Sequence, residues 1–257
     1  MEKAKKIKKV VLLGACGGIG RQLAERLAQR ADQLLLVGRD ESRLRQAVKE
    51  LAESPAQLDY RVLDMRDRAA LEQFAHDLEA DLLINCSGLA SLEQAANLTA
   101  AAEADIWQVN CLAPIFLMKQ AVQSGSCTTF VQLSSLAAIC PHPYLAAYSA
   151  SKAALHSYCL SLQEELRQAE SAMKICVYTL GPTQTGILPQ QAAAALGGGG
   201  LQLQASAAAA GILKQLEKER TSAVIGARYR LLVCLMKLLP QSWQLGLLGH
   251  YLRKGLS

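Results

Sequence analysis

The feature that most restricts how this chain can fold is an alternation of two periodicities. Short β-branched or leucine-rich runs fall at Lys9–Leu13, Gln33–Val37, Leu58–Leu63, Asp81–Asn85, Thr128–Leu133, Lys174–Thr179 and Ala223–Ile225. Between them lie longer stretches with helical spacing: Ile19–Arg30, Glu41–Glu53, Arg68–Leu78, Thr99–Gln123, Ala146–Gln168 and Ser206–Arg220. Apolar positions Leu23, Leu27 and Ala31 recur at three- to four-residue intervals, as do Leu155, Cys159, Leu162 and Leu166. A strand that returns through a helix to a parallel neighbour must cross over right-handed, and the resulting sheet is covered on both faces. The expectation is an α/β protein with a doubly wound parallel sheet. At 257 residues it fits one domain with one substantial core.

The expected division is residues 1–226 as the main unit and 227–257 as a C-terminal helical extension. Within the main unit, 186–203 reads as a mobile loop over a substrate site. Its part Gln190–Gly200 runs from alanines into Gly197–Gly200, and four successive glycines lose too much entropy to sit inside a regular element. From Ala227 the chain reads as two apolar, basic helices split by Pro240, each shorter than the ~20 apolar residues of a membrane span. No acidic residue follows Glu219, whereas Arg220, Arg228, Arg230, Lys237, Arg253 and Lys254 are basic. Such a tail suits either packing, against its own core or a partner copy, or peripheral contact with a membrane surface.

Composition removes several function classes. Hydrophobic residues at 51% and charged residues at 19% exclude wholesale disorder. Aromatics at 5% leave little to stack on single-stranded nucleic acid, and no nucleic-acid reading module accompanies the net charge of +5. The lysines at 3, 5, 6, 8 and 9 read as a solvated end. Eight cysteines without a C-x-x-C pair, and an N-terminal apolar run confined to Val10–Leu13, fit reduced thiols and a cytoplasmic protein without a secretory leader. His76, His142, His156 and His250 lie apart from any cysteine pair, so no metal site is expected.

Three local patterns carry chemistry. The first strand runs into Gly14-Ala15-Cys16-Gly17-Gly18-Ile19-Gly20. Glycines there permit a sharp turn, close approach of backbone to a pyrophosphate, and tight helix–strand packing, with the phosphate facing helix N–H groups. The second strand ends in Gly38-Arg39 rather than a carboxylate. A guanidinium there grips a ribose 2′-phosphate, which favours NADP(H); NAD(H) is the alternative, with Arg39 then a surface charge beside Asp40 and Glu41. Third, Tyr148 and Lys152 are four residues apart in a helical stretch and share one face. A neighbouring ammonium favours the phenolate and brings tyrosine toward acid–base use.

Taken together, these patterns resemble the short-chain dehydrogenase/reductase family, over roughly Lys9 to Gly226. The resemblance implies a Rossmann fold and the following residue roles. Gly14, Gly18 and Gly20, with Ile19, match the cofactor loop. Asp64 matches the acid that meets the adenine amine, and Asn85 and Gly88 in Asn85-Cys86-Ser87-Gly88 match an Asn-Asn-Ala-Gly segment. Asn110, Ser135, Tyr148 and Lys152 match the catalytic tetrad, and Thr185 in Leu180-Gly181-Pro182-Thr183-Gln184-Thr185 matches a carboxamide-binding threonine. Leu13 and Leu180 stand where the family usually has threonine and proline, and Gly17 where some NADP enzymes place a second basic contact.

In this resemblance Ser135 stabilises the substrate oxygen and Tyr148 passes the proton. Lys152 lowers the tyrosine pKa and binds nicotinamide ribose hydroxyls, while Asn110 holds a relay water. The implied function is reduction of a carbonyl, or the reverse oxidation of an alcohol, on a small hydrophobic or acyl-type substrate, in a homo-oligomer of two or four copies. The rival is a catalytically silent NADP-binding sensor or scaffold on the same fold. Cys140–Leu145 and 186–203 are the expected pocket walls, with His142 their polar exception.

Overall fold

A computed structural model of the protein describes residues 7–187 and 202–253. Most of the loop expected to be mobile, including Gln190–Gly200, lies outside the described residues, as do Lys3, Lys5 and Lys6.

The elements run β1 (Ile7–Leu13), α1 (Gly18–Leu27), β2 (Ala31–Gly38), α2 (Glu41–Glu50), β3 (Gln57–Val62), α3 (Arg68–His76) and β4 (Ala80–Asn85). Then follow α4 (Ala100–Trp107), a π-helical turn (Gln108–Leu112), α5 (Ala113–Ser124), β5 (Cys127–Ser135), a 3₁₀ turn (Leu136–Ala138), α6 (Ala146–Gln168) and β6 (Lys174–Leu180). The chain continues through α7 (Ala205–Glu217) and β7 (Ser222–Ile225) into α8 (Ala227–Leu238) and α9 (Gln241–Arg253). One parallel seven-stranded sheet has the order β3-β2-β1-β4-β5-β6-β7. The doubly wound sheet is therefore present as expected.

Successive side chains of a strand point to opposite faces, and here each face meets its own core. Val10, Leu12, Leu82, Ile84, Val131 and Leu133 pack with the inner stripes of α1, α2 and α7. Val11, Leu13, Leu83 and Phe130 pack with α3, α5 and α6 on the other side. The strand order reverses between β1 and β4, which opens a crevice at their carboxyl ends.

Helix starts follow local chemistry. Asp40, Asp67 and Thr99 accept hydrogen bonds from the N–H groups three residues on, capping α2, α3 and α4. Helix α1 is preceded by Gly17, which offers no side-chain cap, so its first N–H groups stay open to the crevice.

The single helix expected over Thr99–Gln123 is broken by the π turn, where Ala113 N–H reaches back five residues to the Gln108 carbonyl. Pro114 supplies the physical reason. It has no N–H to give the Asn110 carbonyl, so the regular ladder cannot continue there.

The two tail helices meet at Pro240, and α8 is tied to the main unit. Tyr229 and Val233 are buried against Leu136, and the Tyr229 hydroxyl donates to the Pro182 carbonyl at 3.1 Å. The ring lies where Gly181 has no side chain; a Cβ there would come within 2.4 Å of it. Tyr229→Phe is expected to cost about 1 kcal/mol, lowering the melting temperature by about 2–4 °C. An unshifted melt would mean that this contact does not anchor the tail.

Candidate active site

The crevice is a cavity of about 660 Å³ that takes in the glycine loop, the β2 tip, the ends of β4 and β5, and the face of α6 bearing Tyr148 and Lys152. Its loop end is built by backbone proximity. Gly14 turns at φ +75°, and the N–H groups of Gly14 and Ala15 both donate to the Val37 carbonyl, at 2.9 and 3.1 Å. A Cβ on Gly14 would come within 2.8 Å of the Ser87 nitrogen, and one on Gly18 within 2.8 Å of the Thr185 Cα. A cradle this close, open at the uncapped N-terminus of α1, fits a dinucleotide pyrophosphate.

At the rim, Gly38, Arg39, Asp40, Arg43 and Asp64 line the same space. The Asp40 carboxylate is occupied by the Ser42 hydroxyl and the Arg43 N–H at 2.7 and 3.1 Å. Arg43, one helical turn beyond Arg39, donates to the Cys16 carbonyl at 2.6 Å, which bridges α2 to the glycine loop. Sequence reasoning missed this second arginine, although its four-residue offset from Arg39 was visible. Asp64 lines the cavity, and Arg66 grips its carboxylate through Nε and Nη2 and holds it below the usual carboxylate range.

The chemical end is assembled from β5, α6 and the π turn. Ser135, the last residue of β5, accepts from the Ala137 N–H at 3.1 Å and shares the cavity wall with Tyr148. Burial raises the Tyr148 pKa, and the nearby Ser135 hydroxyl partly offsets it. Lys152 is 5% exposed. Its Nζ lies 3.5 Å from the Leu133 carbonyl and 5.9 Å from the centre of the Tyr148 ring. Burial depresses its pKa to about 8, with the thiols of Cys86, Cys159 and Cys111 acting the other way. The sequence expectation had the ammonium lowering the phenol. In this structure burial dominates both groups, and the neighbouring Ser135 hydroxyl acts the other way on the phenol.

Asn85 and Asn110 do not line the cavity; both are fully buried behind it. The Asn110 amide bonds both ways with the Leu89 backbone at 2.8 Å and donates to the Ser151 hydroxyl at 3.1 Å. The π turn thus braces the segment after β4 against α6. Asn85 donates to Gln132 at 2.9 Å and accepts from the Ser87 N–H at 3.0 Å, fixing the turn into Gly88. A Cβ on Gly88 would lie 3.4 Å from Asn110 Oδ1 and 3.6 Å from Lys152 Nζ, so the glycine keeps the path to the ammonium open.

Leu89, Leu136, Leu145 and Ile187 form an apolar wall beyond Tyr148, with His142 among them. His142 Nδ1 lies 2.7 Å from the Cys140 carbonyl. A carbonyl only accepts, so Nδ1 carries the proton and Nε2 is left as an acceptor. Burial lowers the His142 pKa, which favours the neutral ring. All eight cysteines are free thiols, and no cluster of metal-ligating side chains occurs among the described residues.

A family profile described as short chain dehydrogenase matches residues 8–195. The very-long-chain 3-oxoacyl-CoA reductase of Pyricularia oryzae is 32% identical over 177 residues, covering 62% of this chain and 52% of its own length. Its namesake from Kluyveromyces lactis is 31% identical over 173 residues, covering 61% and 50%. The chain therefore spans about half the length of these two curated relatives. Among solved structures, a short-chain dehydrogenase from Sphingobium yanoikuyae in complex with NADPH superposes with a TM-score of 0.73 at 24% identity, covering 91% of this chain and 97% of that one. A short chain dehydrogenase/reductase from Burkholderia phymatum in complex with NAD gives 0.79 at 21% identity, covering 91% and 94%. At these identities the structural likeness is one of fold.

Proposed function

This chain belongs to the short-chain dehydrogenase/reductase family, and from that premise we propose that it is an NADP(H)-dependent oxidoreductase interconverting a carbonyl and an alcohol on a hydrophobic or acyl-type substrate. The observation that carries this reading is the Ser135–Tyr148 hydroxyl pair at the cavity wall, with the buried Lys152 ammonium beneath it and Asn110 bracing the segment behind. When bound, the nicotinamide supplies or accepts the hydride.

The remaining work falls to this chain's own groups. Ser135 and Tyr148 both line the cavity, and a substrate oxygen held between them would receive two hydrogen bonds as negative charge develops on it. Tyr148 gives its proton in the reductive direction and takes one in the oxidative direction. Lys152, with a pKa of about 8, is mostly protonated at neutral pH and compensates the phenolate charge left behind. Asn110 acts through position: it holds Leu89 and Ser151, and with them the approach to Lys152. Leu89, Leu136, Leu145 and Ile187 exclude water on the substrate side, consistent with an aliphatic ketone, an aldehyde or an acyl thioester. The relatives named as 3-oxoacyl-CoA reductases favour the last. A panel of these substrates followed by NADPH absorbance tests the reading; no turnover on any of the three classes would overturn it.

The preference for NADP(H) rests on Arg39 and Arg43 at the rim, on Gly38 at the strand tip, and on Asp40 being committed to its cap. Arg39→Asp is expected to weaken NADPH binding by about 10- to 100-fold, the worth of a charge-assisted bond, and to make NADH the tighter ligand. Titration of both cofactors decides it, and equal affinities of the unsubstituted protein would refute the preference.

A further inference from the structure

Helix α8 carries two apolar stripes on opposite faces. Tyr229, Val233 and Met236, spaced i, i+4 and i+7, turn inward, and the first two are buried. Leu231, Leu235 and Leu238 repeat the same spacing half a turn away and stand in solvent at 62%, 51% and 81% exposure. Trp243 at the start of α9 and Leu247 one turn later extend the outer stripe at 66% and 53%. Apart from Arg228, Arg230 and Lys237 the helix is apolar on both of these faces, and an apolar helix face is normally covered. Single exposed leucines are ordinary, but a continuous row of this kind marks a contact surface.

Charge decides what covers it. The sequence from Arg220 to Ser257 contains basic residues and no acidic one. A two-fold contact with a second copy would set this positive surface against itself, whereas an anionic lipid surface complements it and accepts the leucines and tryptophan at its headgroup level. Among the described residues no helix is long and apolar enough to cross a membrane, so the contact is one of lying flat. We propose that α8 and α9 form a docking face for an anionic lipid surface. The face adjoins the chemistry. Gln244 of α9 accepts from the Cys140 thiol at 3.0 Å, Gly249 lies against Pro143, and Tyr229 of α8 holds Pro182. Cys140 and Pro143 flank His142 in the pocket wall, and Pro182 is itself a lining residue. The docked protein would thus sit with its substrate wall next to the bilayer, a placement that suits the apolar substrates of the proposed function and rests on that reading, although the docking itself does not.

The test is cosedimentation of the full chain with phosphatidylcholine vesicles, with and without phosphatidylglycerol. Binding is expected only with phosphatidylglycerol and is expected to weaken in high salt. Leu235→Glu and Leu238→Glu replace side chains that are 51% and 81% exposed and should each lower vesicle affinity about tenfold or more, with thermal stability nearly unchanged. Tyr148→Phe should bind vesicles like the unsubstituted protein, which separates docking from turnover. Absence of binding to the anionic vesicles would overturn the proposal. So would glutamate variants that bind unchanged, or variants that convert a dimer to a monomer without affecting vesicle binding, since a second copy would then be what covers the face.

Discussion

Replacing Tyr148 by phenylalanine is expected to lower turnover by about 10²- to 10⁴-fold, the usual worth of a positioned general acid, while NADPH binds nearly as before. The ring stays, so the packing of α6 under the cavity is kept; only the hydroxyl facing the cavity beside Ser135 goes. Among the described residues, the two nearest candidates cannot take over as the acid. His142 is held neutral with its one proton committed to the Cys140 carbonyl. Lys152 sits beneath the tyrosine at 5% exposure, its Nζ beside the Leu133 carbonyl. Steady-state kinetics on a reducible substrate, paired with an NADPH titration, check both halves. A variant keeping most of its kcat would remove Tyr148 from the mechanism. One that loses NADPH affinity in proportion would show the residue to be structural.

Gly20→Ala is expected to damage the protein at the other end of the cavity. A Cβ there would lie 2.1 Å from the Gly14 oxygen and 2.9 Å from both the Cα and the oxygen of Ala15. All three are backbone atoms, so no side chain can rotate away. The loop itself must shift, against the two hydrogen bonds that tie Gly14 and Ala15 to Val37. The expected loss is about 3 kcal/mol, the upper end for overpacking, or roughly 6–12 °C in melting temperature, together with loss of cofactor binding. Gly246→Ala is the control. It lies in α9 with nothing within 4 Å of the added carbon, and alanine there should be neutral or slightly stabilising. Equal melts for the two variants would mean that the close approach at Gly20 is not what the fold requires.

The parts of this protein readable from its sequence are those where one period dominates. All seven strands and the sheet class followed from alternating runs, and α6 came out at Ala146–Gln168 because its apolar spacing is unbroken between a loop and a polar end. The π turn was hidden because apolar residues at Ile106, Val109, Ala113 and Leu117 keep helical spacing across it. Only Pro114 signalled that a hydrogen bond had to be missing. Asn85 and Asn110 were recognisable as important, but their placement behind the cavity depends on partners 47 and 21 residues away, which no local pattern encodes. Arg66 on Asp64 is a two-residue contact that spacing alone does not distinguish from two solvated charges. In the tail, leucine content was plain. Which leucines face inward could not be read until Tyr229 was seen against Gly181.

The interior position of β1, third in the seven-stranded sheet, has a consequence for the making of the protein. Strand β2 becomes available soon after β1, but the other neighbour, β4, lies far along the chain: Val10 pairs with Leu82. At ordinary rates of synthesis, about 5–20 residues per second, that edge waits roughly 4–15 seconds for its partner. During the wait the backbone donors and acceptors of a strand that carries the apolar run Val10–Leu13 face outward, the arrangement that invites pairing with another chain. The cofactor cradle cannot close in that interval either, since Gly14 packs on Cys86 and Ser87. The hazard of misassembly is therefore concentrated in one strand and one stretch of synthesis, and slower elongation between β2 and β4 lengthens it.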